Sequence, residues 1–328
     1  MNPLVSICIP AYNASKYIRD TLISISNQSW KNLEVIVGDN ASTDNTLDIV
    51  KEYCRTSDDR VRFYKNTTNL GYSGNCNKLI KEANGEYIAI FHADDIYEPE
   101  IVKTQVGVLN KNPQAAGCFT GFQFIDHEGN ELKIKKGVQV KYKGGMIEFC
   151  YKDFIDFMLD FSKNPFCCPS SMIRKQCYIE AGGYDENIKF IEDQDMWIKL
   201  LKNKSLIRIN KKLINYRLHP AQGSSVYSDP NISSPSPMII HLEQHLKKSS
   251  DNYDEQYLSR INRLYSIDYI QKAYLSVNNS GYDVFRSYIH KSKNYYCFKV
   301  FERRFYRYAL FQWLPNKLLF YLLKVKLK

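Results

Sequence analysis

Apolar and polar positions in the first hundred residues alternate between two periods. Short apolar runs at Leu4–Ile9, Leu33–Val37, Val61–Tyr64 and Tyr87–Phe91 begin at positions 4, 33, 61 and 87, so 26 to 29 residues separate successive starts. Between them Tyr17–Gln28, Thr46–Cys54 and Asn75–Ala83 carry helical spacing. That interval fits a strand, a crossover helix and the return, not a solenoid repeat. Pro10 breaks the first run, Gly38 follows the second, and Asn84-Gly85 closes the last helix. The pattern predicts an α/β fold with a doubly wound, mostly parallel sheet and helices on both faces.

After Pro99 the pattern loosens. Gly117–Val140 reads as irregular strands around a turn at residues 127–130, Phe149–Leu159 as a helix and Pro169–Arg174 as a strand. Asp193–Leu201 predicts a helix and Leu213–Leu218 a final strand. The Pro- and Ser-rich stretch near Ser228–Met238 predicts a linker. Beyond it Leu258, Ile261, Tyr265, Tyr269 and Ala273 follow a three-four spacing, which predicts helix. The expected organisation is residues 1–225 as one domain, split near 98 into two halves, then a linker at 226–238 and a helical region at 239–328.

Composition narrows the class. A chain of 328 residues with 44% hydrophobic and 24% charged residues builds a sizeable core and is not disordered. No apolar run approaches the ~20 residues of a membrane-spanning helix. Met1–Pro10 has no basic leader, so no secretory signal is expected. Nine cysteines without a CxxC spacing argue against a zinc site or a disulfide framework, and suggest reduced thiols in a cytoplasmic protein.

Charge is unevenly spread. The formal net charge is +10, and Arg286–Lys328 holds eleven Lys/Arg against Glu302 alone, so this segment carries the whole excess. Phe301, Phe305, Ala309 and Trp313 can share one helical face, with Arg303, Arg304 and Arg307 elsewhere around the turn. After Pro315, Lys317, Tyr321, Lys324 and Lys328 align, and leucines 318, 319, 322 and 323 fill the remaining surface. Such a helix suits peripheral contact with an anionic membrane, here the inner face of the cell membrane. The competing reading is a C-terminal helix packed on the protein with solvated lysines. Nucleic acid is not an expected partner, because the body offers no motif for it.

In an open parallel sheet, ligands bind outside the carboxyl ends of the strands. The first strand ends in Pro10-Ala11-Tyr12-Asn13, the second in Gly38-Asp39-Asn40, and the fourth in His92-Ala93-Asp94-Asp95. Tyr12 can stack on a base, and Asp39 can accept hydrogen bonds from a base or ribose. Adjacent Asp94 and Asp95 suit a hard cation, Mn²⁺ or Mg²⁺. Asp44 reads more simply as a turn or helix-capping residue, and Asp95 serves equally as a cap for the helix near Pro99. Neither a GxGxxG turn nor a Walker loop is present, so phosphate must be held through a metal and side chains.

These residues carry a family resemblance. The segments VSICIPAYN (5–13), SISNQSW (24–30), LEVIVGDNASTDNT (33–46), NLGYSGNCN (69–77), GEYIAIFHADD (85–95), GGYDE (182–186), EDQDMW (192–197) and YRLH (216–219) resemble, in order, those of family-2 glycosyltransferases with the GT-A fold. The resemblance implies that Ala11, Tyr12 and Asn13 line a nucleotide pocket and that Asp39 contacts uracil or ribose. It implies that Asn69–Asn77, with Asn69, Gly71 and Asn77, closes over the nucleotide. The family's Asp-x-Asp metal motif has His92 in place of its first acid here, and Asp94 matches the direct metal ligand. Asp193 matches the general base, with Glu192 and Asp195 as alternatives. His219 matches a residue that reaches the diphosphate or metal.

The implied reaction is an inverting, metal-dependent transfer from a nucleotide-diphosphate sugar, a UDP-sugar in the first instance. The implied acceptor is a lipid-linked oligosaccharide or growing surface glycan. Tyr184 and Trp197 are candidates for shaping an acceptor pocket, although core packing is the better reading of Trp197. Two rivals remain at this stage. A catalytically idle binding module would keep the pocket without turnover, and a nucleotidyltransferase would need a Gly-rich basic loop that Pro10–Asn13 does not supply.

Overall fold

The computed structural model describes residues 2–56, 58, 60–133, 145–161, 164–220, 222, 234–249, 255–279, 281–297, 311–312 and 314–326. The chain divides into two compact units, Met1–Met158 with Lys163–Pro220, and Leu159–Ser162 with Ala221–Lys328.

The first unit is built on one sheet. Strands β1 (Val5–Ala11), β2 (Leu33–Asp39), β3 (Val61–Lys65) and β4 (Tyr87–Ile90) alternate with helices α1 (Ile18–Ser26), α2 (Thr46–Thr56) and α3 (Gly71–Glu82). They pair in parallel in the order β3-β2-β1-β4. Val5, Ile7, Cys8, Ile9, Val35, Ile36 and Val37 are all 0% exposed. Burial on both faces is what makes these strands read as unbroken apolar runs.

The second half of the unit is mixed in direction. After β5 (Ile96–Tyr97) and α4 (Ile101–Lys111) come β6 (Ala115–Ile125), β7 (Glu131–Leu132), β8 (Met146–Phe149) and α5 (Tyr151–Phe161). Strand β9 (Ser171–Arg174), α6 (Lys175–Glu180), α7 (Glu192–Leu201) and β10 (Ser205–Arg217) complete it. Strand β9 inserts antiparallel between β4 and β6, and β6 then pairs in parallel with β10. Gly117 permits the crowding at β9: a Cβ there would lie 2.6 Å from the Met172 carbonyl oxygen. The final strand is longer than Leu213–Leu218, because β8 and β6 both pair with its first half. Trp197 is 0% exposed and meets the Phe119 ring edge-on at 4.7 Å, so it packs the core.

The second unit is helical: α8 (Pro237–Ser249), α9 (Glu255–Asn279), α10 (Gly281–Tyr295) and α11 (Asn316–Lys326). Tyr269, Ala273 and Val277 of α9 pack with Phe285, Tyr288 and Ile289 of α10 and with Leu319 and Phe320 of α11. The expected linker ends two residues early, since Pro237 and Met238 already belong to α8; proline suits a first helical turn, where its missing N–H costs nothing. The rest of that stretch up to residue 233, and the Phe301–Trp313 face, lie outside the described residues. On α11, Leu319 and Phe320 are consumed by packing, while Leu318 and Leu322 remain 51% and 54% exposed. Among the described residues no helix is long and apolar enough to cross a membrane.

Candidate active site

Register places the first acidic group. Ala11 pairs with Asp39 at the ends of β1 and β2, and the Asn40 N–H donates to the Ala11 carbonyl at 2.8 Å. Asp39 is 0% exposed, and neither carboxylate oxygen has a hydrogen-bond partner among the described residues. A buried carboxylate left unpaired costs several kcal/mol unless a ligand satisfies it.

Around Asp39 the other polar groups are committed. Asn40 Nδ2 donates to Asn69 Oδ1 at 2.9 Å and to the Gly71 carbonyl at 3.0 Å, while its Oδ1 accepts from the Leu70 N–H at 2.9 Å. Asn66 bridges Asn40 and Asn75, each at 3.1 Å, and Asn75 Nδ2 donates to the Gly38 carbonyl at 2.8 Å. Gly38 is needed there, since a Cβ would lie 2.7 Å from Asn75 Oδ1. Gly71, with φ 74°, turns the chain into α3.

The loop after β1 is fixed in the same way. Asn13 Oδ1 accepts from the Thr43 N–H at 2.9 Å, and its own N–H donates to Ser42 Oγ at 3.0 Å. Asp44 bonds the N–H groups of Thr46 and Ser15, at 3.0 and 3.1 Å, so it acts in the turn and at the start of α2. Tyr12 projects outward, 51% exposed, whereas Ala11 and Ala93 are small and buried, and Pro10 is half-buried opposite Gly38.

The second acidic group lies past β4. His92, Asp94 and Asp95 each offer one ligand atom, all within 4.8 Å of one another. His219 Nε2 lies 3.0 Å from Asp94 Oδ2. Burial opposes the Asp94 charge, but the His219 hydrogen bond and the neighbouring imidazoles hold its carboxyl below the usual range. Burial and the Asp94 charge push the Asp95 carboxyl well above it. Asp95 Oδ1 accepts from the Arg217 N–H at 2.8 Å, and its Oδ2 is buried without a partner among the described residues. Asp95 therefore ties β10 to the end of β4 and does not cap α4, whose N-cap position is Glu100 and carries no side-chain cap.

The third group opens α7. Burial, with the Glu192 charge, pushes the Asp193 carboxyl up to about 6. Its Oδ1 accepts from the Gln194 N–H at 2.8 Å, and Asn164 Nδ2 lies 3.4 Å from its Oδ2. A carboxyl titrating near 6 is ionised at neutral pH yet basic enough to accept a proton. Asp195 faces elsewhere, in a 2.7 Å ion pair with Lys199. Glu192 instead lines a cleft of about 350 Å³ with Asn69–Ser73, Glu186, Ile188, Lys189 and Phe190.

The model for glycosyl transferase family 2 matches residues 6–182. The chain belongs to that family. It is 33% identical over 219 residues to an uncharacterized glycosyltransferase of Methanocaldococcus jannaschii, covering 66% of this chain and 71% of that one. It is 32% identical over 230 residues to another from Haemophilus influenzae, covering 69% of each. Among solved structures it is similar to Staphylococcus aureus TarS 1–349 in complex with UDP-GlcNAc, with TM-score 0.60, 17% identity and coverage of 98% and 91%. It is also similar to the mannosyltransferase PcManGT of Pyrobaculum calidifontis in complex with GDP-Man and Mn²⁺, with TM-score 0.58, 15% identity and coverage of 98% and 84%. The fold of this glycosyltransferase is thus of the GT-A type.

Within the glycosyltransferase, the expected residues fall into two kinds. Asp39, His92, Asp94, Asp95 and His219 gather at the strand ends, and Asp193 with Glu192 stands at the start of α7. Asn40, Asn69 and Asn77 spend their amides on the protein: Asn77 Oδ1 and Nδ2 bond the Tyr184 N–H and carbonyl at 2.8 and 2.9 Å. Tyr184 itself is buried.

Sequence reasoning missed Arg217, Tyr17, Tyr72 and Phe190. Arg217 is 2% exposed; its Nε donates to the Asp94 carbonyl at 2.8 Å, and its guanidinium lies 4.7 Å from the Tyr17 ring centre. Tyr17 packs against His219 at 4.7 Å, and the Tyr72 hydroxyl lies 3.3 Å from His92 Nε2. A basic residue two places before His219 was the available signal for Arg217.

Proposed function

We propose that the protein is an inverting glycosyltransferase that takes a nucleotide-diphosphate sugar, foremost a UDP-sugar, and transfers it to a glycan hydroxyl. The observation that carries the donor assignment is Asp39: a fully buried, unpartnered carboxylate at a strand end, where a uracil N–H or ribose hydroxyl satisfies it. Fold relatives in complex with UDP-GlcNAc and with GDP-Man and Mn²⁺ support this class of donor.

The cluster at the end of β4 fits a divalent cation, because Asp95 Oδ2 is left without a partner and nitrogen and oxygen donors converge there. Asp94, with His92, Asp95 and His219, would hold Mn²⁺ or Mg²⁺. When bound, the cation neutralises charge on the leaving diphosphate. Asp193 accepts the proton of the acceptor hydroxyl as its oxygen attacks the anomeric carbon opposite the diphosphate. A single displacement inverts that carbon.

The cleft beside Glu192 suits the acceptor. Phe190, 50% exposed, gives an apolar platform for a sugar ring, and Glu186 and Glu192 offer acceptors for its hydroxyls. A lipid-linked acceptor is supported by the basic C-terminal segment and by the exposed Leu318 and Leu322 of α11, which suit peripheral contact with an anionic membrane.

Calorimetric titration of UDP, GDP and CDP with Mn²⁺ or Mg²⁺ tests the reading, together with sugar release from the matching donors. Metal-dependent UDP binding that Asp94→Ala abolishes, with turnover in the wild type, is expected. Nucleotide binding without any turnover would reduce the protein to a binding module. No nucleotide binding by the folded protein would overturn the assignment.

A further inference from the structure

We propose that the cation site takes an imidazole ligand, with His92 joining Asp94 and Asp95, so that it selects transition-metal ions over Mg²⁺. This rests on the donor-site reading above, but concerns a departure of this chain from the motif it resembles: His92 stands where that motif has an acid.

The arrangement brings two imidazoles to one carboxylate. His92 and Asp94 offer ligand atoms within 4.8 Å of each other, and His219 Nε2 lies 3.0 Å from Asp94 Oδ2. Each ring is held in place by groups beyond it, as metal-binding histidines usually are. The Tyr72 hydroxyl lies 3.3 Å from His92 Nε2; with that nitrogen protonated, Nδ1 keeps the lone pair. The His92 backbone N–H donates to the Tyr97 hydroxyl at 2.6 Å, which fixes the chain that carries the ring, and Tyr97 stacks on Phe91 at 3.8 Å. His219 rests on the Tyr17 ring, whose centre lies 4.7 Å from the Arg217 guanidinium.

A second observation points to a ligand independently. Asp95 is 1% exposed, belongs to the same cluster, and leaves Oδ2 without a partner among the described residues. A cation placed among these donors supplies that partner.

The donor set decides the selectivity. Mg²⁺ takes oxygen ligands, keeps several waters and gains little from imidazole. Nitrogen donors strengthen binding along the series Mn²⁺, Fe²⁺, Co²⁺. An imidazole ligand from His92 beside the Asp94 carboxylate shifts the balance away from Mg²⁺ and toward Co²⁺ and Mn²⁺.

The test uses the full-length, metal-stripped protein, titrated calorimetrically with Co²⁺, Mn²⁺ and Mg²⁺, with and without UDP. The expected order is Co²⁺, then Mn²⁺, then Mg²⁺, with Co²⁺ at least tenfold tighter than Mg²⁺. Pulsed EPR of bound Mn²⁺ should show couplings to directly bound ¹⁴N. His92→Asp should keep Mg²⁺ binding and cut the Co²⁺/Mg²⁺ ratio at least tenfold. A wild-type preference below tenfold, or bound Mn²⁺ without ¹⁴N coupling, overturns the proposal. If His92→Asp fails to fold, His219→Ala decides: its bound Mn²⁺ should keep a ¹⁴N coupling, which His92 then supplies, and a spectrum without one overturns the proposal. Failure of the donor reading looks different: the ¹⁴N-coupled ion would bind, but UDP would not.

Discussion

The end of β2 and the cleft beside α7 belong to the same unit and are built by opposite rules. At β2, the amides of Asn40, Asn66, Asn69 and Asn75 are tied to one another and to the backbone, and Asp39 is left as an unpaired carboxylate in a rigid frame. At the cleft, Phe190 and Leu70 stand 50% and 44% exposed, and Phe190 holds a left-handed backbone with φ 73°. A frame with every other group committed suits a ligand part that never changes. An open, apolar and strained wall suits one that differs between enzymes. On our reading the first takes the nucleotide and the second the acceptor.

The largest test of this division removes the carboxylate of Asp193 at the start of α7. Asp193→Asn is expected to lower kcat about 10³-fold, in the range of a lost general base, while calorimetric UDP affinity stays within about twofold. A parallel loss of UDP affinity would break the comparison, because Asp193 would then belong to the donor side. Asp39→Ala should do the reverse. Its donor affinity should fall about 10–100-fold, and kcat at saturating donor should stay within about threefold of wild type. An unchanged affinity would remove Asp39 from the donor site.

Acid titration sharpens the same distinction. Asp193 must be ionised to accept a proton, and burial places its carboxyl at about 6. Donor-saturated kcat should therefore fall about tenfold per pH unit below that value. Stability runs the other way. A carboxyl whose folded value lies above its unfolded one favours the protonated folded state, so its stabilising effect is complete below the unfolded value of 3.8 and is lost as pH rises through about 6. Asp193→Asn should accordingly be more stable than wild type at pH 8 and lose that advantage near pH 3. Thermal melts across this range check it, and a variant no more stable at pH 8 would mean that the carboxyl is not raised.

How legible each region was in the sequence follows from how local its causes are. Strands β1 to β4 could be read directly, because burial on both faces writes a continuous apolar run into each. Asp195, an alternative to Asp193 in the sequence, is instead paired by Lys199 one turn further on. Strand β9 was not readable as an antiparallel insertion, because its partners Tyr87–Ile90 and Gly117–Cys118 are remote in the chain. Arg217 was equally hidden. It is one of four basic residues in β10, with Arg208, Lys211 and Lys212, and its buried guanidinium is met by groups remote in sequence, among them Asp20, 3.2 Å away across 197 residues. The resemblance supplied the acids of the site. The side chains that orient them come from packing, which no local pattern records.

The smallest effect bears on Phe190 and separates its ring from its backbone. A bulky residue with φ 73° carries about 1–2 kcal/mol of strain that glycine does not. Phe190→Ala and Phe190→Gly both remove the ring, so both should raise the acceptor KM, by about tenfold where a sugar ring stacks on it, and leave UDP affinity unchanged. Between the two variants only the backbone preference differs. The Gly variant should be the more stable, by about 1 kcal/mol after its greater unfolded-state entropy is counted. If instead the Ala variant matches it in denaturant melts, the left-handed turn is unstrained. If both variants keep the wild-type acceptor KM, the exposed ring has no acceptor to bind, and the cleft's openness has nothing to do with the choice of substrate.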